Sequence, residues 1–202
     1  MSEKLLFGVN NAGFVILGTN DYEYSNDNMV LELLNKYKKV IFDNSFNSAI
    51  DWLPEGITDI YLGTHFNQPL ANLPSTTKTI KITYDEHNYN TFNQPLDYLP
   101  PGLERLEIWF NSKYNYPLNN LPIGLKKFIL FANNFTHSIN NLPDSIETIQ
   151  ISTFDYVNTL KLPSNLKSIN IIETCKNNKV WNKYHLLTNL EKKYPNAKFT
   201  YR

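Results

Sequence analysis

The sequence predicts a parallel β-solenoid of stacked coils, and three recurrences in register predict it. Leu-Pro returns at Leu53-Pro54, Leu73-Pro74, Leu99-Pro100, Leu121-Pro122, Leu142-Pro143 and Leu162-Pro163, at intervals of 20 to 26 residues. A largely apolar triplet spaced three then two follows each pair: Ile57, Ile60, Leu62; Thr77, Ile80, Ile82; Leu103, Leu106, Ile108; Leu125, Phe128, Leu130; Ile146, Ile149, Ile151; and Leu166, Ile169, Ile171. Seven residues ahead of five of the pairs stands an aromatic (Phe46, Phe66, Phe92, Tyr114, Phe135), and Asn follows it at Asn47, Asn67, Asn93 and Asn115. Self-similarity at a fixed period is the signature of a repeat architecture.

Each recurrence has a physical reading. Side chains alternate faces along a strand, so Leu106 and Ile108 point inward and Glu107 outward. One coil cannot bury its own apolar face, but stacked coils can. Proline fixes φ and lacks an N–H, which suits the turn segments between strands. The recurrent Asn amide can donate to and accept from the backbone of adjacent coils, and the aromatic beside it forms a second ladder in the core.

An open stack needs caps. Lys4–Val9 and Phe14–Leu17 flank Asn10-Asn11-Ala12-Gly13, a hairpin pattern. Ser25-Asn26-Asp27 is a helix start, and Met29, Val30, Leu33, Leu34 and Tyr37 give residues 27–38 a helical apolar period. Tyr37, Val40 and Phe42 repeat the triplet spacing, which adds a degenerate seventh strand at 39–43. Trp181, Tyr184, Leu187, Leu190 and Tyr194 form one helical stripe, Pro195-Asn196 ends it, and Ala197, Phe199 and Tyr201 alternate as a last edge strand. The chain thus reads as one domain, 1–202: a hairpin and capping helix over 1–36, tandem repeats over 37–172, and a capping helix with an edge strand over 173–202. The sheet has about seven short strands.

Phe66-Asn67-Gln68-Pro69-Leu70 and Phe92-Asn93-Gln94-Pro95-Leu96, each followed by Leu-Pro and the triplet, resemble FNIP repeats, a leucine-rich-repeat relative with units of about 22 residues. The resemblance covers about 37–172 and implies a leucine-rich-repeat-like β-solenoid. The fifth copy departs at Thr136 and Ser138, and in the sixth Phe154 lies one residue farther from its Leu-Pro. Such repeats are frequent in amoebae and in the large DNA viruses that infect them, often behind an F-box that recruits a ubiquitin ligase. Residues 1–36 are too short for an F-box.

Composition narrows the function classes. Lys+Arg and Asp+Glu are both 19, so the net charge is +0, without the positive excess that a general nucleic-acid surface needs. No apolar run approaches the roughly 18 residues of a membrane span, and the start carries no secretory signal pattern. Cys175 is the single cysteine, so no internal disulfide forms and an intracellular, cytoplasmic location is expected. None of His65, His87, His137 or His185 pairs at metal-ligand spacing, and no Gly-rich phosphate loop is present. Neither a cofactor, a metal nor a catalytic constellation is expected.

The remaining candidate is the outward face of the sheet. Alternation places Arg105 and Lys127 in one outward row, Tyr61, Glu107 and Ile129 in the next, and Trp109 and Phe131 in a third, where Gly63 also falls. An aromatic and aliphatic centre with a charged rim has the make-up of a binding hot spot. The competing reading is that the loops Tyr84–Thr91 and Phe110–Lys113 cover these rings. The expected function is a protein–protein interaction scaffold. The alternatives are a structural, self-associating repeat protein and a carbohydrate-binding module.

Overall fold

The computed structural model describes residues 7–18, 23–85, 90–111, 113–152, 161–172 and 183–201. One ten-stranded sheet runs in chain order: β1 (Phe7–Val9), β2 (Val15–Leu17), β3 (Lys39–Phe42), β4 (Asp59–Leu62), β5 (Thr79–Ile82), β6 (Arg105–Asn111), β7 (Lys127–Ala132), β8 (Thr148–Ser152), β9 (Ser168–Ile172) and β10 (Lys198–Tyr201). β1 is antiparallel to β2. Every later neighbour is parallel.

The register is the one the triplets dictate. Ile60 lies against Ile80, Ile80 against Leu106, Leu106 against Phe128, Phe128 against Ile149 and Ile149 against Ile169. All members of the six triplets are buried, including Thr77. A slip of one residue would turn this whole set to solvent, which is why the register is firm.

The structure also explains the fixed distance from Leu-Pro to the triplet. The proline carbonyl accepts from the backbone N–H three residues on, as in Thr77 to Pro74 and Leu103 to Pro100, both at 3.0 Å. That hydrogen bond closes a β-turn whose last residue is the first triplet member. The next backbone N–H then reaches the preceding coil: Lys78 N–H donates to Thr58 O at 2.8 Å and Glu104 N–H to Lys78 O at 2.9 Å.

The sheet is longer than the seven strands expected, because the hairpin and the last strand join it. Val15 and Leu17 are buried and sit against Val40 and Phe42, so the hairpin continues the core. At the other end Lys198 N–H donates to Lys167 O at 2.8 Å, the same coil-to-coil bond the repeats use.

Among the described residues one α-helix lies near each end of the sheet, the first beside β2 and the second beside β10. In α1 (Asn28–Tyr37) the Asp27 carboxylate accepts from Met29 and Val30 N–H, the usual N-cap arrangement. Val30 and Leu34 are buried, whereas Met29, placed in the apolar stripe by its spacing, is 60% exposed. In α2 (Lys183–Lys193) Leu190 is buried. The Tyr194 hydroxyl behind it accepts from Leu162 N–H at 2.8 Å and so ties the cap to the last Leu-Pro coil. Trp181 and Phe154 lie outside the described residues, as do the side chains of Tyr184, Leu187 and Tyr201.

Between the caps the far wall carries the aromatic ladder. Phe66, Phe92, Tyr114 and Phe135 stack with centroids 6.4, 6.1 and 6.2 Å apart and planes within 18° of parallel. The Asn ladder beside it works by acceptance. Asn47 Oδ1 accepts from Asn67 N–H at 2.7 Å, Asn67 Oδ1 from Asn93 N–H at 2.8 Å, and Asn115 Oδ1 from Thr136 N–H at 2.8 Å. Gln68 and Gln94 amides donate to the carbonyls of Asn47 and Asn67, which doubles the tie.

Candidate functional site

β4 to β7 present the candidate side chains because strand alternation turns one residue in two away from the triplets. Tyr61, Lys81, Glu107 and Ile129 are successive partners across these four strands, and Arg105 lies beside Lys127. The centre of the arrangement is Glu107. Its side chain is only 5% exposed, Lys127 Nζ sits at 2.8 Å from Oε1, Trp109 Nε1 donates to Oε2 at 2.9 Å, and Arg105 Nε stands 4.0 Å away. Burial, the largest single influence, pushes the Glu107 carboxyl up. The hydrogen bonds from Lys127 and Trp109, with the charges of Lys127 and Lys81, outweigh it and hold the group below its ordinary value.

A row of rings and cations runs beside this carboxylate. Lys81 Nζ lies 5.6 Å from the Tyr61 ring centroid and 5.9 Å from that of Trp109, so one ammonium serves two rings. Phe14 of the hairpin packs on Tyr61 at 4.7 Å, and Lys39 Nζ lies 5.5 Å from the Phe14 ring. Burial pushes the Tyr61 phenol up, with the charges of Asp59 and Glu107 adding to it.

The expected open aromatic centre is only partly open. Phe131 and Ile129 are fully buried, and Glu107 is buried too. Trp109 and Tyr61 are half-buried, and Arg105 is exposed. The cover is the one the two loops offered. Phe110 adopts a left-handed φ of 46° where the β6–β7 register shifts, which swings its ring onto Phe131 at 5.4 Å. Tyr84 then packs on Phe110 at 4.3 Å. Asn90 pins the far end of the insertion by donating its backbone N–H to Phe110 O at 3.2 Å and its side-chain amide to Trp109 O. The accessible part of the face is therefore Tyr61, Lys81, Trp109, Arg105 and the half-buried Lys127. Lys81, paired between Tyr61 and Glu107, is a site residue that sequence reasoning missed, because a lysine reads as solvated until its stem and head are seen between rings. Phe14 gave no signal, since nothing local tells which ring a hairpin will cover.

Two of the histidines act as staples between coils. His65 Nδ1 lies 2.8 Å from Asn44 O and His137 Nε2 lies 2.9 Å from Asn115 O. Among the described residues no three His, Cys, Asp or Glu side chains gather as metal ligands, and no helix is long and apolar enough to cross a membrane.

Parallel coils of about 22 residues, one strand per coil and a stacked aromatic wall define a repeat protein of the parallel β-solenoid class. The FNIP Repeat family model matches residues 46–85. A FNIP repeat-containing protein of Dictyostelium discoideum is 30% identical over 131 residues, covering 50% of this chain and 24% of that relative. Residues 46–85 thus carry the FNIP repeat pattern, and the chain spans about a quarter of the length of the relative it matches.

Proposed function

We propose that the chain is a non-catalytic scaffold, acting inside the cell, that binds a protein partner through the outward face of β4 to β7. The observation that carries this reading is the Tyr61–Lys81–Trp109 row, with Arg105 exposed beside it and a buried carboxylate fixing the ring. Rings held rigid by their neighbours, with an arginine alongside, are the residue types that dominate binding energy at interfaces. The single cysteine fits a reducing compartment.

The test is affinity capture followed by titration of each purified candidate against face variants. Trp109→Ala and Arg105→Glu should each weaken a true partner by about ten-fold or more while leaving the melting temperature within a few degrees. Phe131→Ala serves as the contrast, since its ring is core and its loss should lower stability. A partner that binds all three variants as tightly as the parent would show that the face is not the interface.

A further inference from the structure

The zero net charge conceals a separation along the stack. Residues 161–202 hold nine Lys and Arg against two acids, Glu173 and Glu191, a net of +7. The remaining 160 residues therefore carry −7, since the whole sums to +0. The first 35 residues contribute −4: Lys4 is their one basic residue, beside Glu3, and Asp21, Glu23, Asp27 and Glu32 follow it with no lysine or arginine before Lys36. Sheet order puts the described residues of these two segments at opposite ends, with β1 at one edge and β10 at the other.

Both ends carry features that a closed molecule does not need. Among the described residues β1 pairs only with β2 and β10 only with β9, so each end shows an unpaired strand edge. Unpaired edges recruit further strands unless they are deterred. Val9, Ile16 and Met29, three of the seven large apolar residues that stand exposed among the described residues, lie at the acidic end. Glu23 and Glu32 are exposed there as well. At the basic end Lys192, Lys193 and Lys198 are exposed, and Phe199 is half-buried. A lysine on an edge strand repels a like or neutral strand but accepts an acidic one.

We infer that the acidic N-terminal end of one copy docks on the basic C-terminal end of the next, giving a head-to-tail stack of this chain. The β10 edge of one copy meets the β1 edge of its neighbour, antiparallel, and the charges of the two ends match. The contact joins different surfaces of two copies, so it propagates rather than closing as a two-fold dimer. It is independent of the outward face of β4 to β7.

The experiment is sedimentation velocity with light scattering on the full chain at low salt, at ~0.15 M salt and at ~1 M salt, where the Debye length falls from about 8 to about 3 Å. The expected result is a mass that grows with concentration at low salt and returns to monomer at high salt. Two variants refine it: Lys192→Glu with Lys198→Glu, and Glu23→Lys with Glu32→Lys. Each alone should weaken association by about ten-fold or more, with thermal melts confirming that both fold. Mixed in equal amounts they should associate again, because the reversed tail of one then complements the reversed head of the other. A monomer under all conditions, variants that associate like the parent, or a mixture that stays monomeric would overturn the inference. So would a monomer that instead binds an oligonucleotide through Lys192 and Lys198.

Discussion

Gly63 shows how tightly one residue type can be specified by its neighbours. A Cβ there would stand 2.4 Å from the Asn44 Cα and 2.5 Å from the Asp43 carbonyl oxygen. Backbone cannot move aside as a flexible side chain can, so Gly63→Ala should cost about 1–3 kcal/mol of unfolding free energy, measurable by urea titration. The equivalent place in the third and fourth repeats holds Trp109 and Phe131, where the chain diverges into a bulge instead. Asn67 makes the opposite case, since its role is acceptance alone in the ties seen to the next coil. Asn67→Ala should lose about 1 kcal/mol, whereas Asn67→Asp, which keeps an acceptor, should lose less. Sequence foresaw the position of this amide but gave it both donation and acceptance. Only the facing groups reveal that the next coil offers N–H.

Strand by strand, one exposed position alternates in charge along the stack: Lys78, Glu104, Lys126, Glu147 and Lys167. Lys126 Nζ stands 2.8 Å from Glu104, Lys78 Nζ 3.6 Å from it, and Lys167 Nζ 2.8 Å from Glu147. Exposed pairs contribute little, so this ladder favours the correct neighbour more than it adds stability. The hydrogen bond from Lys126 holds the Glu104 carboxyl below its ordinary value. Glu107 differs because it is buried. Its folded pKa is depressed, so its contribution is complete above the unfolded carboxylate value of about 4.3 and is lost as pH falls through the folded value. The parent should therefore lose stability relative to Glu107→Gln as pH drops from about 5 to about 3, as read from melts across that range. The covered state of Phe131 was one of two readings the sequence left open. Periodicity assigns a face to each residue, but whether a loop folds back over that face depends on a left-handed φ at Phe110, a backbone property without a periodic signature.

For the molecule as a whole, seven strands of the sheet were legible because the same short pattern is written six times. The last strand was legible as an edge strand, which β10 is; the hairpin was legible as an element, but its parallel pairing with β3 was not, since the partner of a single unrepeated strand is fixed only by assembly. Truncation after Ile172 tests what the C-terminal cap does. It removes Leu190, the Tyr194 tie to Leu162 and the β10 partner of β9, so at ~1 M salt, where charge-driven stacking of the parent is screened, the shortened chain should still aggregate, as read by light scattering. The spacing of the stacked rings has a consequence for direction. Ring centroids advance 6.1 to 6.4 Å per coil, while paired strands advance only about 4.8 Å. Unequal spacings on the two walls, together with the roughly 20–25° by which neighbouring strands rotate in a twisted sheet, set each coil at an angle to the last. The array is therefore no straight prism, and the angle between its two tips is set by how many steps separate them. Adding or deleting one coil would re-aim one tip relative to the other without altering either surface.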